Sequence, residues 1–292
     1  PPKHKGNTYS IPSSVTSIRE CAFCQCSSLT EITIPSSVTS IGDNAFYNCN
    51  SLTQITIPSS MTSIPENAFS NCNSLTQITI PSSVTSIGDN SFYNCSSLTQ
   101  ITIPSSVTSI PESAFSNCSS LTEITIPSSV ASIGENAFSN CSSLRQITIP
   151  SSVTSIAKNP FAYCSNLEQL KVAPDNSQFI SVNDVLFTKD QRTLICYPPK
   201  HKGNTYSIPS SVTSIGDNAF YNCSSLTEIT ILSSVTSIGK YAFFGCSSLA
   251  QIHDITDFKF FSHPPKVLSI RKYTFSNCSS LKKIKIPYTV TS

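Results

Sequence analysis

Ile80 to Thr102 reads IPSSVTSIGDNSFYNCSSLTQIT, and nearly the same phrase stands on either side of it. Ile11, Ile34, Ile57, Ile80, Ile103, Ile126 and Ile149 open successive copies 23 residues apart, and Ile208 and Ile231 resume the period after an interruption. A stretched unit covers Asp254 to Lys285, and Ile286 begins another. A fixed period of roughly 20–50 residues marks a stacked repeat architecture rather than a mixture of unrelated elements.

The phrase assigns a job to each position. Leu98, Ile101 and Ile103 face one way, and the alternation of Ile101 and Ile103 with Thr102 is that of a short strand. Pro104 has no N–H to give a ladder and ends it. Val84 and Ile87 then turn the chain with both side chains inward. Gly88-Asp89-Asn90-Ser91-Phe92 corresponds to Pro65-Glu66-Asn67-Ala68-Phe69 and Pro111-Glu112-Ser113-Ala114-Phe115. Exchange of Gly with Pro requires φ near about −65° and excludes a left-handed glycine. Pro followed by Glu, with a serine two residues earlier as a cap, predicts a single helical or 3-10 turn that sets Phe92 and Cys95 on an inward face. Each copy therefore carries an apolar stripe that only a neighbouring copy covers. Stacking pairs the strands in parallel at about 4.8 Å per rung.

Leu98-x-x-Ile101-x-Ile103-Pro104, then Val107-x-x-Ile110 and Ala114-Phe115-x-x-Cys118, resembles the BspA-like leucine-rich repeat of 23 residues. The commoner leucine-rich repeat has an asparagine where Ser106 stands, so no asparagine ladder is expected there. The resemblance covers nearly the whole chain. It implies a leucine-rich-repeat horseshoe, with parallel strands on a concave face and helical or 3-10 turns on a convex one. It further implies surface or secreted proteins of mucosal bacteria and trichomonad-type protists that bind host extracellular-matrix proteins, host cells or other microbes.

The whole of 1–292 reads as one repeat domain, a fragment of a longer protein, with two irregular segments. In 172–207, Asp184-Val185-Leu186-Phe187 and Thr193-Leu194-Ile195-Cys196-Tyr197 flank a polar turn and predict an inserted β-hairpin. Pro198 to Ile215 then repeats Pro1 to Ile18 without a change, so the first residues read as the tail of an earlier hairpin module. In 253–270 a distorted repeat holds Phe258, Phe260, Phe261, His263, Pro264 and Pro265. Those aromatics read as core filling, with a ligand patch beside Lys259 and Lys266 as the alternative.

Charged residues make up 12% of the chain and net charge is +2, which by itself points to no nucleic-acid partner. The distribution is uneven. From Lys240 onward eight Lys and Arg face two acids, +6, leaving −4 for the rest. Lys266, Arg271, Lys272, Lys282, Lys283 and Lys285 form a candidate basic patch. No apolar run approaches the roughly 20 residues that span a bilayer, so membrane insertion is not expected.

Cys26, Cys49, Cys72, Cys95, Cys118, Cys141, Cys164, Cys223, Cys246 and Cys278 recur at one repeat position. Parallel Cβ vectors on stacked rungs do not converge to the roughly 3.8 Å of a disulfide, and a line of thiols does not converge on a metal. A column of buried thiols is expected, with no metal and no cofactor. Cys21, Cys24 and Cys26 form a tighter cluster, for which a disulfide or adventitious metal stays open. Asn94, Asn117, Asn140, Asn222 and Asn277 sit in Asn-Cys-Ser sequons, read either as glycan acceptors or as incidental products of repetition. His4, His201, His253 and His263 are scattered, and no catalytic constellation stands out, so no enzyme is expected.

Binding is expected on the outward strand positions. One column is Glu31, Gln54, Gln77, Gln100, Glu123, Gln146, Gln169 and Glu228. Another is Thr33, Thr56, Thr79, Thr102, Thr125, Thr148 and Thr230. Such a carpet of amides and hydroxyls suits a protein or glycan ligand bound at little ordering cost. The competing functions are a structural stalk that presents another domain and, from the flat threonine columns, ice or crystal binding.

Overall fold

The computed structural model describes residues 7–254 and 269–282. The chain forms two compact units, Pro1–Cys164 and Ser165–Ser292.

In the first unit Thr8–Ser10, Glu31–Thr33, Gln54–Thr56 and Gln77–Thr79 pair in parallel, so that Thr8, Glu31, Gln54 and Gln77 share one register line. Gln100–Thr102 pairs with Glu123–Thr125 in the same register. In each of these three-residue strands from Glu31–Thr33 onward the central isoleucine is buried between exposed neighbours, as period-2 alternation demands.

A second ribbon runs along the unit, which the sequence reading assigned only to an inward turn. Pro81 O accepts from Val84 N at 3.0 Å, and the chain then re-extends as Ser86–Ile87. Ser63–Ile64 pairs with Ser86–Ile87, and Ser109–Ile110, Ser132–Ile133 and Ser155–Ile156 follow the same scheme. Ile87 is inward as expected, at 6% exposure, but it gets there from a strand.

The expected helical or 3-10 turn is not there: no helix occurs among the described residues. Ser91 N, Tyr93 N and Cys95 N bond back within the rung to Gly88 O, Asn90 O and Phe92 O. The intervening Asn90 N, Phe92 N and Asn94 N donate instead to Glu112 O, Ala114 O and Ser116 O of the next rung, at 2.8–2.9 Å. A helix keeps its N–H groups within its own coil; here alternate ones cross between rungs. The geometry needs left-handed residues at Asn90 (φ 53°) and Asn94 (φ 57°), and asparagine enters that region more cheaply than most residues. Gly88 is not left-handed, in keeping with its exchange for proline. A Cβ placed there would lie 2.5 Å from Glu66 N, so close rung approach favours glycine at this position.

The core is a set of one-residue columns. Phe69, Phe92 and Phe115 are fully buried and stack at 5.6 and 5.5 Å with rings within 12° of parallel. Leu98, Val84, Ile101 and Ile103 fill the rest of the same slice.

The second unit contains the insertion, which is larger than the expected hairpin. Phe179–Val182, Val185–Thr188 and Thr193–Cys196 form an antiparallel meander, with Val182 opposite Val185 and Phe187 opposite Leu194. Asn183 (φ 49°) and Asp184 (φ 63°) make the first turn, a two-residue left-handed turn whose twist matches the strands it joins. Thr193–Cys196 then pairs in parallel with Ser214–Ile215, so the insertion continues the Ser-Ile ribbon. Tyr197 stacks on Phe220 at 5.0 Å, opening the column Phe220, Phe243, Phe275. His201 fastens this corner: its Nε2 donates to Asn183 O at 2.7 Å, and its Nδ1 meets Tyr197 Oη at 3.1 Å. The next ribbon strand, Ser269–Ile270, pairs with Ser237–Ile238, and most of the expected distorted repeat, Phe258, Phe260, Phe261 and His263 included, lies outside the described residues.

Candidate ligand-binding surfaces

Polar ladders hold the rungs together beside the exposed strand positions. Ser37, Ser83, Ser129 and Ser152 donate to Val15 O, Met61 O, Val107 O and Val130 O at 2.6–2.8 Å, and Ser106 donates to Val84 O. Serine thus bonds its neighbour rung at the position where the commoner leucine-rich repeat has asparagine. An asparagine ladder exists elsewhere, on the run of turns: Asn94 Nδ2 donates to Asn71 Oδ1 at 2.9 Å and Asn140 Nδ2 to Asn117 Oδ1 at 2.7 Å. Of these amides, Asn94, Asn117 and Asn140 belong to sequons and Asn71 does not. Thr53, Thr76, Thr99 and Thr122 form a further ladder, each hydroxyl donating to the threonine carbonyl of the rung before.

Next to that ladder, the first unit brings together Glu31, Gln54, Gln77, Gln100, Glu123 and Gln146, all exposed, with Thr33, Thr56, Thr79, Thr102, Thr125 and Thr148 two residues on. Their backbones are fixed by in-register pairing and their intervening isoleucines are buried, so the array is rigid at its base. Regularity breaks at Arg145, which stands where the sister rungs have threonine. It helps line an open depression of about 420 Å³ with Thr122, Glu123, Thr125, Gln146 and Thr148. Gln169 and Glu228 belong to the second unit and are half-buried; there His253 Nε2 contacts Glu228 Oε2 at 3.1 Å.

The cysteine column lies inside. Cys49, Cys72, Cys95, Cys118, Cys141, Cys164, Cys223 and Cys246 are fully buried, Cys26 and Cys278 are half-buried, and all are free thiols. From Cys49 onward each Sγ of the column has a use the sequence did not reveal. Cys72, Cys95 and Cys118 donate to Phe46 O, Phe69 O and Phe92 O of the preceding rung at 3.2–3.3 Å. That carbonyl already accepts a backbone N–H within its own rung, for example Cys95 N to Phe92 O at 3.2 Å. The thiol takes its second lone pair. Burial pushes the Cys118 and Cys164 thiols up to about 12, and those of Cys72, Cys95 and Cys141 well above the usual thiol range. Such groups are neutral at physiological pH and poor nucleophiles.

Cys21 is exposed and free, as are the half-buried Cys24 and Cys26. Among the described residues no group of three His, Cys, Asp or Glu is placed to hold a metal, and no helix is long and apolar enough to cross a membrane. Of the expected basic patch, Arg271 and Lys272 are exposed, as is Lys282, while Lys266, Lys283 and Lys285 lie outside the described residues. Sequence reasoning counted Lys240 in the basic end but passed over Tyr241 and Tyr273, although the signal was present: Lys-Tyr stands where rungs such as Glu66-Asn67 and Asp89-Asn90 have an acid and an asparagine.

Parallel strands in 23-residue register, an aromatic column and polar ladders between rungs define a leucine-rich-repeat β-solenoid. The chain belongs to the BspA type leucine-rich-repeat family, whose pattern it matches in six copies over residues 3–110, 85–195 and 196–292. It is similar to a leucine rich cell surface protein from Faecalibacterium prausnitzii A2-165, at 34% identity over 99% of this chain and 77% of that one, with a TM-score of 0.87. A leucine-rich repeat protein from Bacteroides ovatus ATCC 8483 is 29% identical over 97% and 82% of the two chains, TM-score 0.68. The pneumococcal vaccine antigen PcpA is 26% identical over 95% and 65%, TM-score 0.66. No curated protein matches the sequence.

Proposed function

We propose that this chain is a non-enzymatic binding module of a cell-surface or secreted protein, recognising a protein or glycan on a host matrix, a host cell or another microbe. The observation that carries this reading is the exposed, in-register Glu/Gln/Thr array of the first unit, interrupted by Arg145 above the depression it lines. A pre-fixed polar surface loses little freedom on binding, so modest contacts summed over many rungs give useful affinity. Similarity to a leucine rich cell surface protein supports the location.

A second reading, a stalk that presents another domain, is favoured by the near-identity of the rungs from Ile34 to Thr148, since a spacer needs no unique patch. The test is adhesion of the purified chain to fibronectin- and collagen-coated surfaces, for the wild type and for a Gln77→Ala, Gln100→Ala, Arg145→Thr, Gln146→Ala variant. Binding that drops in the variant supports the module. Adhesion absent from both, with the fold intact, favours the stalk.

A further inference from the structure

We infer that two successive rungs of the second unit form an anion-binding ledge for a sulfated glycan, on the run of turns rather than on the strand surface. Asp43-Asn44, Glu66-Asn67, Asp89-Asn90, Glu135-Asn136 and Asp217-Asn218 occupy one site in their rungs; Lys158-Asn159 changes the charge and keeps the asparagine, while Lys240-Tyr241 and Lys272-Tyr273 replace both residues. The change reverses charge and exchanges a small amide for an aromatic ring, twice over, at neighbouring levels.

The backbone makes this exchange costly. Tyr241 has φ 56° and Tyr273 φ 61°, the left-handed region that asparagine tolerates and a bulky side chain resists. Strain kept outside the buried column, at the half-buried Tyr241 and the exposed Tyr273, points to use at that position. The two rings stack 5.1 Å apart and 7° from parallel, and Tyr273 is 55% exposed. Phe244 meets Tyr241 edge-on at 5.6 Å and stacks on Tyr221 at 5.0 Å, which fixes the ledge from below. Lys240 Nζ lies 4.9 Å from the Tyr241 ring centre, so the ammonium is held beside the rings. Arg271 and Lys272 are exposed alongside. The acid bordering the ledge, Asp217, accepts the backbone N–H of Lys240 at 2.8 Å.

The chemistry selects among polyanions. Single-stranded nucleic acid needs ring faces on which its bases stack, but Tyr241 faces Tyr273 and Lys240. An acidic peptide docking as an added strand needs unpaired backbone groups, whereas Tyr241 N, Phe243 N and Gly245 N donate to Lys272 O, Thr274 O and Ser276 O of the next rung. What remains is a line of cations beside phenol hydroxyls and aromatic edges. That suits a chain carrying sulfates, hydroxyls and sugar C–H groups.

Heparin titrated calorimetrically into the full chain tests this. The variant K240D/Y241N/K272D/Y273N installs the Asp217-Asn218 pair of a sister rung, so it folds; it melts no lower than the wild type because the left-handed tyrosines are gone. We expect heparin binding that weakens with salt and falls at least about tenfold in this variant. K240D/K272D alone retains part of the affinity. The strand-surface variant lacking Gln77, Gln100, Arg145 and Gln146 binds heparin as the wild type does, which separates this inference from the proposed function. Equal heparin affinity in wild type and quadruple variant overturns the inference. So does wild-type binding of oligo(dT) or polyglutamate as tight as that of heparin, or an absence of heparin binding at low salt.

Discussion

The rungs around Phe92 and those around Phe243 share a core and differ on the surface. In both, a phenylalanine column stacks at 4.8–5.6 Å and a cysteine donates to the carbonyl of the rung before. On the run of turns the rungs of Phe69 and Phe92 show Glu66 and Asp89, each followed by a left-handed asparagine, whereas those of Phe243 and Phe275 show Lys240 and Lys272, each followed by a left-handed tyrosine. Inside, every position serves the rungs on both sides, so a change at one level is felt at three. Outside, the only shared demand is a tolerable φ, and the side chain is open to other uses.

The largest effect that would test this contrast is alkaline. Burial raises the thiols from Cys49 to Cys164 above their usual value near 9.0, to about 12 for Cys49, Cys118 and Cys164. The folded state keeps them neutral while the unfolded chain ionises, so their contribution is fully present below about pH 9 and is lost as pH rises toward 12. Thermal melts at successive pH should fall steeply across that window. A melting temperature flat from pH 8 to 11 would break the account of the column. Alkylation followed by mass spectrometry should label Cys21 in the native protein and reach Cys72 to Cys164 only after denaturation.

Phe92→Ala comes next. It opens a cavity between Phe69 and Phe115 and should cost about 3–5 kcal/mol, with damage spreading locally first because rungs touch only their neighbours. Phe244→Ala, on the exposed side of the second unit, should cost well under half of that. Similar losses at the two sites in urea unfolding would erase the distinction between column and ledge.

Smaller changes sharpen it. Cys118→Ala removes a buried sulfur and the donor to Phe92 O, about 1–2 kcal/mol. Ser91 stands where the sister rungs have Ala45, Ala68, Ala114 and Ala137, and its buried hydroxyl has no hydrogen-bond partner. Ser91→Ala should therefore stabilise by about 1 kcal/mol. Asn90→Ala should destabilise and Tyr273→Asn stabilise, each by about 1 kcal/mol or less. Should Tyr273→Asn lower stability instead, packing repays the strained ring and its left-handed backbone marks no binding use.

The sequence by itself determined the rung. Period, parallel stacking, the inward set Leu98, Ile101, Ile103, Val84, Ile87, Phe92 and Cys95, and the non-left-handed Gly88 follow from alternation, Gly-Pro exchange and the need of each slice for a neighbour. Only the tertiary structure decided where the backbone hydrogen bonds go. Pro-Glu reads locally as the start of a helix, yet Asn90, Phe92 and Asn94 give their N–H groups to the next rung, a partner 22 residues ahead of each in the chain. The strand at Phe179–Val182, the second lone pair of Phe92 O met by the Cys118 thiol, and the stacking of Tyr241 on Tyr273 are decided the same way. Each depends on two segments distant in sequence arriving at one place, and a pattern read along the chain carries no term for that meeting.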